Sequence, residues 1–183
     1  MKRREFLLKK IVKDYGVLAK VVEAQRILGH KIVVTIGSWD LFHIGHARYL
    51  LAACNSGDVL VVGVDSDEAI RRYKGPYRPI VPHEERMEML SYLDFVHYIT
   101  LVDDLDEGGD WQYGLIKLLK PDLFVAVDDS YTQDQIRDLK KYCGGVNVLQ
   151  RQAENTSTSN FVQKILKGAF LPMIDKVAKG GKR

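Results

Sequence analysis

A short apolar run breaks at a glycine and, within ten residues, gives way to a helix headed by two histidines. This stretch constrains the chain more than any other. Residues 32–49 read IVVTIGSWDLFHIGHARY. The β-branched segment 32–36 has the character of a buried strand. Gly37 ends it. After His43-Ile44-Gly45-His46 the chain turns to helix formers over residues 47–53. The first N–H groups of such a helix have no intrahelical acceptor, and the helix dipole is positive there, so the junction attracts anions. Gly37 and Gly45 lack a Cβ, which lets a phosphate approach the main chain. Two imidazoles three residues apart over an anion-binding turn point to chemistry at a phosphoryl group. The competing reading makes His43 a turn residue and His46 a cap or core histidine. The context of a strand before the motif, Gly37 and Asp40 just upstream, and a helix after it favours the site.

The rest of the chain repeats the same alternation. Strands are expected at 32–36, 59–64, 95–101, 123–127 and 146–149. Helices are expected at 45–55, from Ser66 or Asp67 to Tyr73, and at 83–92, 111–119 and 132–142, with a last one from about Ser159. Strands alternating with helices give an α/β domain with a parallel sheet. Such a sheet takes its ligands beyond the C-terminal strand ends, where the strand order reverses. At 183 residues the chain is long enough for one such core. Residues 1–30 read as an N-terminal helical extension, 31–170 as the main domain and 171–183 as a tail. Within the extension, Phe6, Leu7, Ile11, Val12 and Tyr15 form one apolar set, and Leu18, Val21, Val22 and Leu28 a second. A break is expected at Gly16 and an end at Gly29. This segment is expected to pack on the sheet edge or on a second subunit. A short helix after Pro172 and a frayed basic end at 179–183 complete the chain.

Composition excludes several classes. Apolar residues are 46% and charged residues 28% of the chain, so it is globular rather than disordered. The net charge of +3 is too small to argue for nucleic acid and is compatible with anionic small substrates. Cys54 and Cys143 have no paired spacing and read as reduced thiols. Lys9-Lys10 interrupts the apolar patch behind the basic N-terminus, so no signal peptide is expected. No run is long enough to span a membrane. The expectation is a cytoplasmic protein, with no membrane and no nucleic acid among its partners. Salt-sensitive RNA binding through the basic termini is the minor alternative.

Three further clusters carry candidate chemistry. Lys74 and Arg78 lie on a Gly/Pro-framed loop, where a lysine can swing over phosphates as a lid. Arg151 precedes Thr156-Ser157-Thr158-Ser159, whose hydroxyls and free N–H groups at a helix start form a second anion site, or a capping cluster. Asp128 and Asp129 follow the fourth strand, beside the turn that carries the histidines.

Gly37-Ser38-Trp39-Asp40-Leu41-Phe42-His43-Ile44-Gly45-His46 resembles the signature of the nucleotidyltransferase family of cytidylyltransferases and small adenylyltransferases, with Trp39 in place of a phenylalanine. Class I aminoacyl-tRNA synthetases share the four-residue core but need a longer chain and a lysine-rich loop absent from this one. The resemblance covers about residues 31–167. It implies a Rossmann-like, doubly wound five-stranded sheet of order 3-2-1-4-5, Mg²⁺ as cofactor and a homodimer. It also implies transfer of a nucleoside monophosphate, from ATP or else CTP, to a phosphorylated small molecule, with release of pyrophosphate. Heptose 1-phosphate adenylyltransferases and glycerol-3-phosphate or ethanolamine-phosphate cytidylyltransferases are the most similar types. A non-catalytic nucleotide-binding protein of the same fold is the alternative. Carried onto this chain, the catalytic residues are His43, His46, Lys74 and Arg86, Arg86 reaching phosphate oxygens from its helix. The nucleotide would be held by Ile36, Gly37, Ser38, Trp39, His43, Gly45, His46, Asp128, Arg151, Thr156, Ser157, Thr158 and Ser159. The acceptor would be held by Asp40, Lys74, Arg78 and Asp129, with Asp40 more suited to ordering the turn. No residue is assigned as a resident metal ligand.

Overall fold

A computed structural model of the chain describes residues 2–153 and 156–178. Five parallel strands form one sheet: β1 (Ile32–Gly37), β2 (Val59–Asp65), β3 (Tyr98–Val102), β4 (Leu123–Val127) and β5 (Val146–Leu149). Their spatial order is β3-β2-β1-β4-β5, the Rossmann-like order expected. The β1–β2 register pairs Ile32 with Val59 through Gly37 with Val64, and β1 pairs β4 at Val33–Leu123. The order reverses between β1 and β4, which opens a crevice at their C-terminal ends.

The period of two in the strands feeds two separate cores. Ile32, Val34, Ile36, Val59 and Val61 face one side, where they meet Leu18 and Val22 of α2 (Tyr15–Ile27), Leu115, Ile116 and Leu119 of α6 (Gly114–Leu119) and Leu139 of α7 (Gln133–Leu139). Val33, Leu60, Val62 and Val64 face the other. They meet Tyr49, Leu50 and Ala53 of α3 (Ile44–Cys54) and Met87 and Leu90 of α5 (His83–Ser91). Helix α4 (Asp67–Lys74) follows β2 and starts on the Ser66 cap, whose hydroxyl accepts the Ala69 N–H at 2.9 Å. Gly63 is required inside β2: a Cβ there would lie 2.7 Å from Ile36 Cγ1 and 2.8 Å from Val102 Cγ2.

The N-terminal break is not at Gly16. Helix α1 (Arg3–Leu8) stops earlier, and Gly16 lies within the first turn of α2. The reason is local. Asp14 caps α2 by accepting the Val17 N–H at 2.8 Å, and a cap fixes a helix start more firmly than a glycine marks one. Between the helices the chain runs beside β3, with Ile99 N–H donating to Lys10 O and Val12 N–H to Ile99 O, both 2.8 Å. Sheet-edge packing is therefore the outcome for this segment.

Helix α6 begins at Gly114 rather than at residue 111, because Trp111 bridges back to Leu105 and its ring packs on Tyr113. At the C-terminus the helix does not wait for Pro172. Helix α8 (Thr158–Ile165) continues through a π-helical turn (Leu166–Phe170) into α9 (Leu171–Ala178). Pro172 sits in the first turn of α9, next to the wide turn, where its missing N–H and its ring are tolerated. The expected frayed end at 179–183 falls outside the described residues. Among the described residues, no helix is long and apolar enough to cross a membrane.

Candidate active site

The turn between β1 and α3 is strained and held from several sides. Trp39 and Leu41 have φ of 52° and 47°, a left-handed conformation that costs a residue with a Cβ on the order of 1–3 kcal/mol. Trp39 is 6% exposed, and its indole N–H donates to Gly63 O at 2.8 Å. Asp40 is fully buried. Its carboxylate accepts from Arg78 Nε at 2.8 Å and from the N–H groups of Ile80 and Val81, each at 3.0 Å. Burial pushes the Asp40 carboxyl up, but those two N–H groups and Arg78 outweigh it and leave its pKa below the ordinary value.

The turn delivers the histidines. His43 caps α3, its Nδ1 accepting the Gly45 N–H at 3.1 Å. Its ring stacks on His46 with centroids 3.8 Å apart and planes at 19°. Trp39 and Phe42 each lie 5.6 Å from the His46 ring. Burial, then His43 and Lys74, push His46 down to about 3, and burial with Arg151 lowers His43 too. His46 is therefore neutral at neutral pH. Its Nδ1 is buried and has no hydrogen-bond partner. A Cβ at Gly45 would lie 3.0 Å from the His43 ring, so the glycine allows the stack.

Other candidates gather around this pair. Lys74, the last residue of α4, donates to Ser38 Oγ at 2.8 Å. Loss of hydration, then Arg78, lowers its pKa. Thr158 Oγ1 donates to Asp40 O at 2.8 Å, joining the head of α8 to the histidine turn. Ser157 caps α8 by accepting the Asn160 N–H at 3.1 Å, while Ser159 is exposed. The first N–H groups of that helix have no intrahelical acceptor. Arg151 pairs with Asp129 at the surface, and Asp128 is exposed beyond β4.

Two acceptor-side expectations and one catalytic one are corrected by this geometry. Asp40 has no exposed atom for an acceptor, because its carboxylate is used within the turn. Arg78 is engaged with it at 2.7 Å and is only 17% exposed at its side chain. Arg86 does not present its guanidinium to phosphates. It is among the largest buried side chains and donates to Val81 O, Ser38 O, Asp65 O and the Asp67 carboxylate. Its planar fork ties together the histidine turn, the end of β2 and the starts of α4 and α5.

The sequence reading missed Asp65 and Tyr73. Tyr73 donates to Asp65 Oδ2 at 2.5 Å, and burial raises the pKa of both groups. An acid as the last residue of a parallel strand was the available signal. Tyr131 donates to Ile36 O at 3.1 Å from the far wall of the crevice.

The donor set does not fit a resident metal at the histidine turn. Asp40 is spent on Arg78 and main-chain N–H groups. Among the described residues, the cluster with metal-ligand character is Asp67, His83 and Glu84, where Asp67 already pairs with Arg86. A Mg²⁺ ion would enter as part of the nucleotide substrate, as Mg²⁺ held by phosphates and water commonly does.

Residues 34–171 match the model of the cytidylyltransferase-like family. The chain belongs to the cytidylyltransferase-like family. By family it is a nucleotidyltransferase domain. It is 39% identical over 158 residues to the bifunctional protein HldE of Geobacter sulfurreducens, covering 85% of this chain and 31% of that protein. It is 40% identical over 147 residues to the HldE of Alcanivorax borkumensis, covering 79% and 29%. The chain thus spans about a third of the length of these curated relatives. Among solved structures, a lipopolysaccharide core biosynthesis protein from Thermoplasma volcanium superposes with a TM-score of 0.55 at 26% identity, covering 69% of this chain and 99% of that one. A pantoate-beta-alanine ligase from Francisella tularensis shares the fold alone, with a TM-score of 0.57 at 15% identity, covering 86% and 78%.

Proposed function

We propose that this cytidylyltransferase-like domain transfers a nucleoside monophosphate from a nucleoside triphosphate to a phosphorylated small molecule, a sugar phosphate by preference, and releases pyrophosphate. ATP is the favoured donor and CTP the alternative. The observation that carries the reading is the stacked His43–His46 pair on a turn locked to the head of α8. The HldE relatives and the lipopolysaccharide core biosynthesis protein support a sugar-phosphate acceptor.

An acceptor phosphate oxygen is already anionic at neutral pH, so attack on the α-phosphorus needs no strong base. Positioning and charge stabilisation then carry the rate. Neutral His46 and His43 offer ring N–H groups to oxygens on which charge accumulates. Lys74, on the last turn of α4, neutralises phosphate charge once it leaves Ser38. The free N–H groups and hydroxyls at the head of α8 receive the leaving pyrophosphate. The ring stack and the Trp39 packing keep the imidazoles in place without substrate, so little reorganisation is left for the reaction step.

Pyrophosphate release tests this directly. Each of the four nucleoside triphosphates is crossed with heptose 1-phosphate, glycerol 3-phosphate, phosphoethanolamine and phosphocholine, with Mg²⁺ present. The expected result is acceptor-dependent release with ATP and the sugar phosphate, lost in His46→Ala. Tight triphosphate binding without release for any pair would move the domain to a non-catalytic, nucleotide-binding role.

A further inference from the structure

The lysine beside the histidine turn rests on neutral partners. Lys74 Nζ donates to Ser38 Oγ at 2.8 Å and bends back over the ring of Tyr73, 5.4 Å from its centroid. Tyr73 and Lys74 are the last two residues of α4, and half-buried Asp65 is the last residue of β2. The Tyr73 hydroxyl donates to Asp65 Oδ2 at 2.5 Å. Among the described residues, no carboxylate lies within ion-pair distance of Lys74. Two carboxylates nonetheless act on its charge, Asp65 and Asp40, against the cations Arg78 and Arg86. Asp40 is spent on Arg78 and the N–H groups of Ile80 and Val81. Arg86 takes the main-chain oxygen of Asp65 and leaves its carboxylate alone. Asp65 is therefore the carboxylate open to capture by Lys74, and the Tyr73 hydroxyl occupies it.

We infer that Tyr73 is a positioning residue: by holding the Asp65 carboxylate, its hydroxyl keeps Lys74 out of an ion pair and ready to move onto a phosphate. An ionic partner on either side makes a hydrogen bond shorter and, between two ions, roughly twice as strong as a neutral one. A hydroxyl and a ring face hold an ammonium more loosely. Charged phosphate oxygens can displace them, whereas a carboxylate bound directly to Lys74 would compete on equal terms. Asp65 also has a second effect. Loss of hydration and Arg78 push the lysine toward its neutral form, and Asp65 opposes them from a distance. The arrangement supplies negative charge near the lysine while denying it a carboxylate contact. Its consequence for phosphate binding rests on the role proposed for Lys74, but the competition between Tyr73 and Lys74 for Asp65 does not.

Titration of the full chain labelled with isotopic lysine reads the competition, the Lys74 signal being identified by its loss in Lys74→Arg. Tyr73 is 51% exposed, so Tyr73→Phe removes the hydroxyl without disturbing a core. The expected result is a Lys74 midpoint raised by about one pH unit in Tyr73→Phe, as a direct ion pair produces, and lowered again in Tyr73→Phe/Asp65→Asn. Calorimetry with Mg²⁺–ATP and Mg²⁺–CTP reads the consequence. Affinity is expected to fall about tenfold in Tyr73→Phe and to recover in the double variant. A midpoint unchanged in Tyr73→Phe overturns the inference, and so does one that moves while triphosphate affinity stays at the wild-type value. Weakened affinity that Asp65→Asn does not rescue also overturns it, placing the Tyr73 hydroxyl on the ligand itself. A midpoint that rises and returns in a chain whose wild type binds neither triphosphate upholds the competition and counts against the transferase reading instead.

Discussion

Thr158 and Asp40 stand 118 residues apart in the chain and meet through one hydrogen bond, the threonine hydroxyl donating to the aspartate main-chain oxygen at 2.8 Å. The contact joins the two anion-binding ends of the site, the turn that carries His43 and His46 and the head of α8. It fixes their separation before any ligand arrives. Thr158→Val keeps the shape and removes the donor. Stability is expected to fall by about 1 kcal/mol, the usual worth of one such bond. The larger effect falls on the nucleotide: its KM rises about tenfold, the equivalent of ~1.4 kcal/mol, with kcat changed less. Steady-state kinetics with Thr158→Ser as the rescuing control read this. An unchanged KM in Thr158→Val would show that the two ends act independently.

Asp40 is the internal brace of the turn. Its carboxylate neutralises Arg78 and takes the N–H groups of Ile80 and Val81 while fully buried. Asp40→Asn leaves Arg78 without its counter-charge, and the amide lacks the second acceptor oxygen. The loss expected for breaking a buried pair is about 3 kcal/mol. It appears as a lower urea midpoint with an unchanged slope. A variant as stable as wild type, with a raised acceptor KM, would return Asp40 to an acceptor-binding role.

Arg86 separates a brace from a phosphate ligand in the same way. Its guanidinium joins Val81 O, Ser38 O, Asp65 O and Asp67 with almost no exposure. Lysine offers one point charge in place of a planar fork. Arg86→Lys is therefore expected to cost roughly 2–4 kcal/mol in unfolding free energy, since several buried carbonyls lose their donors. Activity lost at full stability would place the guanidinium on substrate after all.

The fold was legible because two periodicities alternate cleanly: residues 59–64 and 123–127 leave no other reading than buried strands. The histidine turn was legible because Gly37, His43, Gly45 and His46 are adjacent in sequence. What escaped depends on side-chain reach across the fold. Whether Arg86 points at a phosphate or at Ser38 O is decided by the path of a turn 48 residues away. The engagement of Asp40 depends in the same way on a loop 40 residues downstream. Asp65 and Tyr73 escaped because their pairing needs the last residue of β2 and the end of α4 to converge. The Gly16 break failed because a cap at Asp14 outweighed a glycine that the first helical turn tolerates.

The last expectation concerns acid. His46 falls from an ordinary 6.5 to about 3 in the folded chain, through burial and then its cationic neighbours. Between those two values the unfolded chain holds a proton on this ring that the folded chain does not. Stability therefore rises with pH across that window, is fully present above 6.5 and is lost as the pH falls toward 3. From pH 7 to 5 the single ring accounts for up to about 2 kcal/mol. His43 shifts in the same direction and adds to it. Urea unfolding at pH 7 and pH 5 is expected to show this loss in wild type and a smaller one in His46→Gln, whose side chain does not titrate. An equal loss in both would mean that His46 takes up its proton in the folded state near its ordinary pH. It would then be cationic in acid, and its place between Trp39 and Phe42 would not be the desolvated one described.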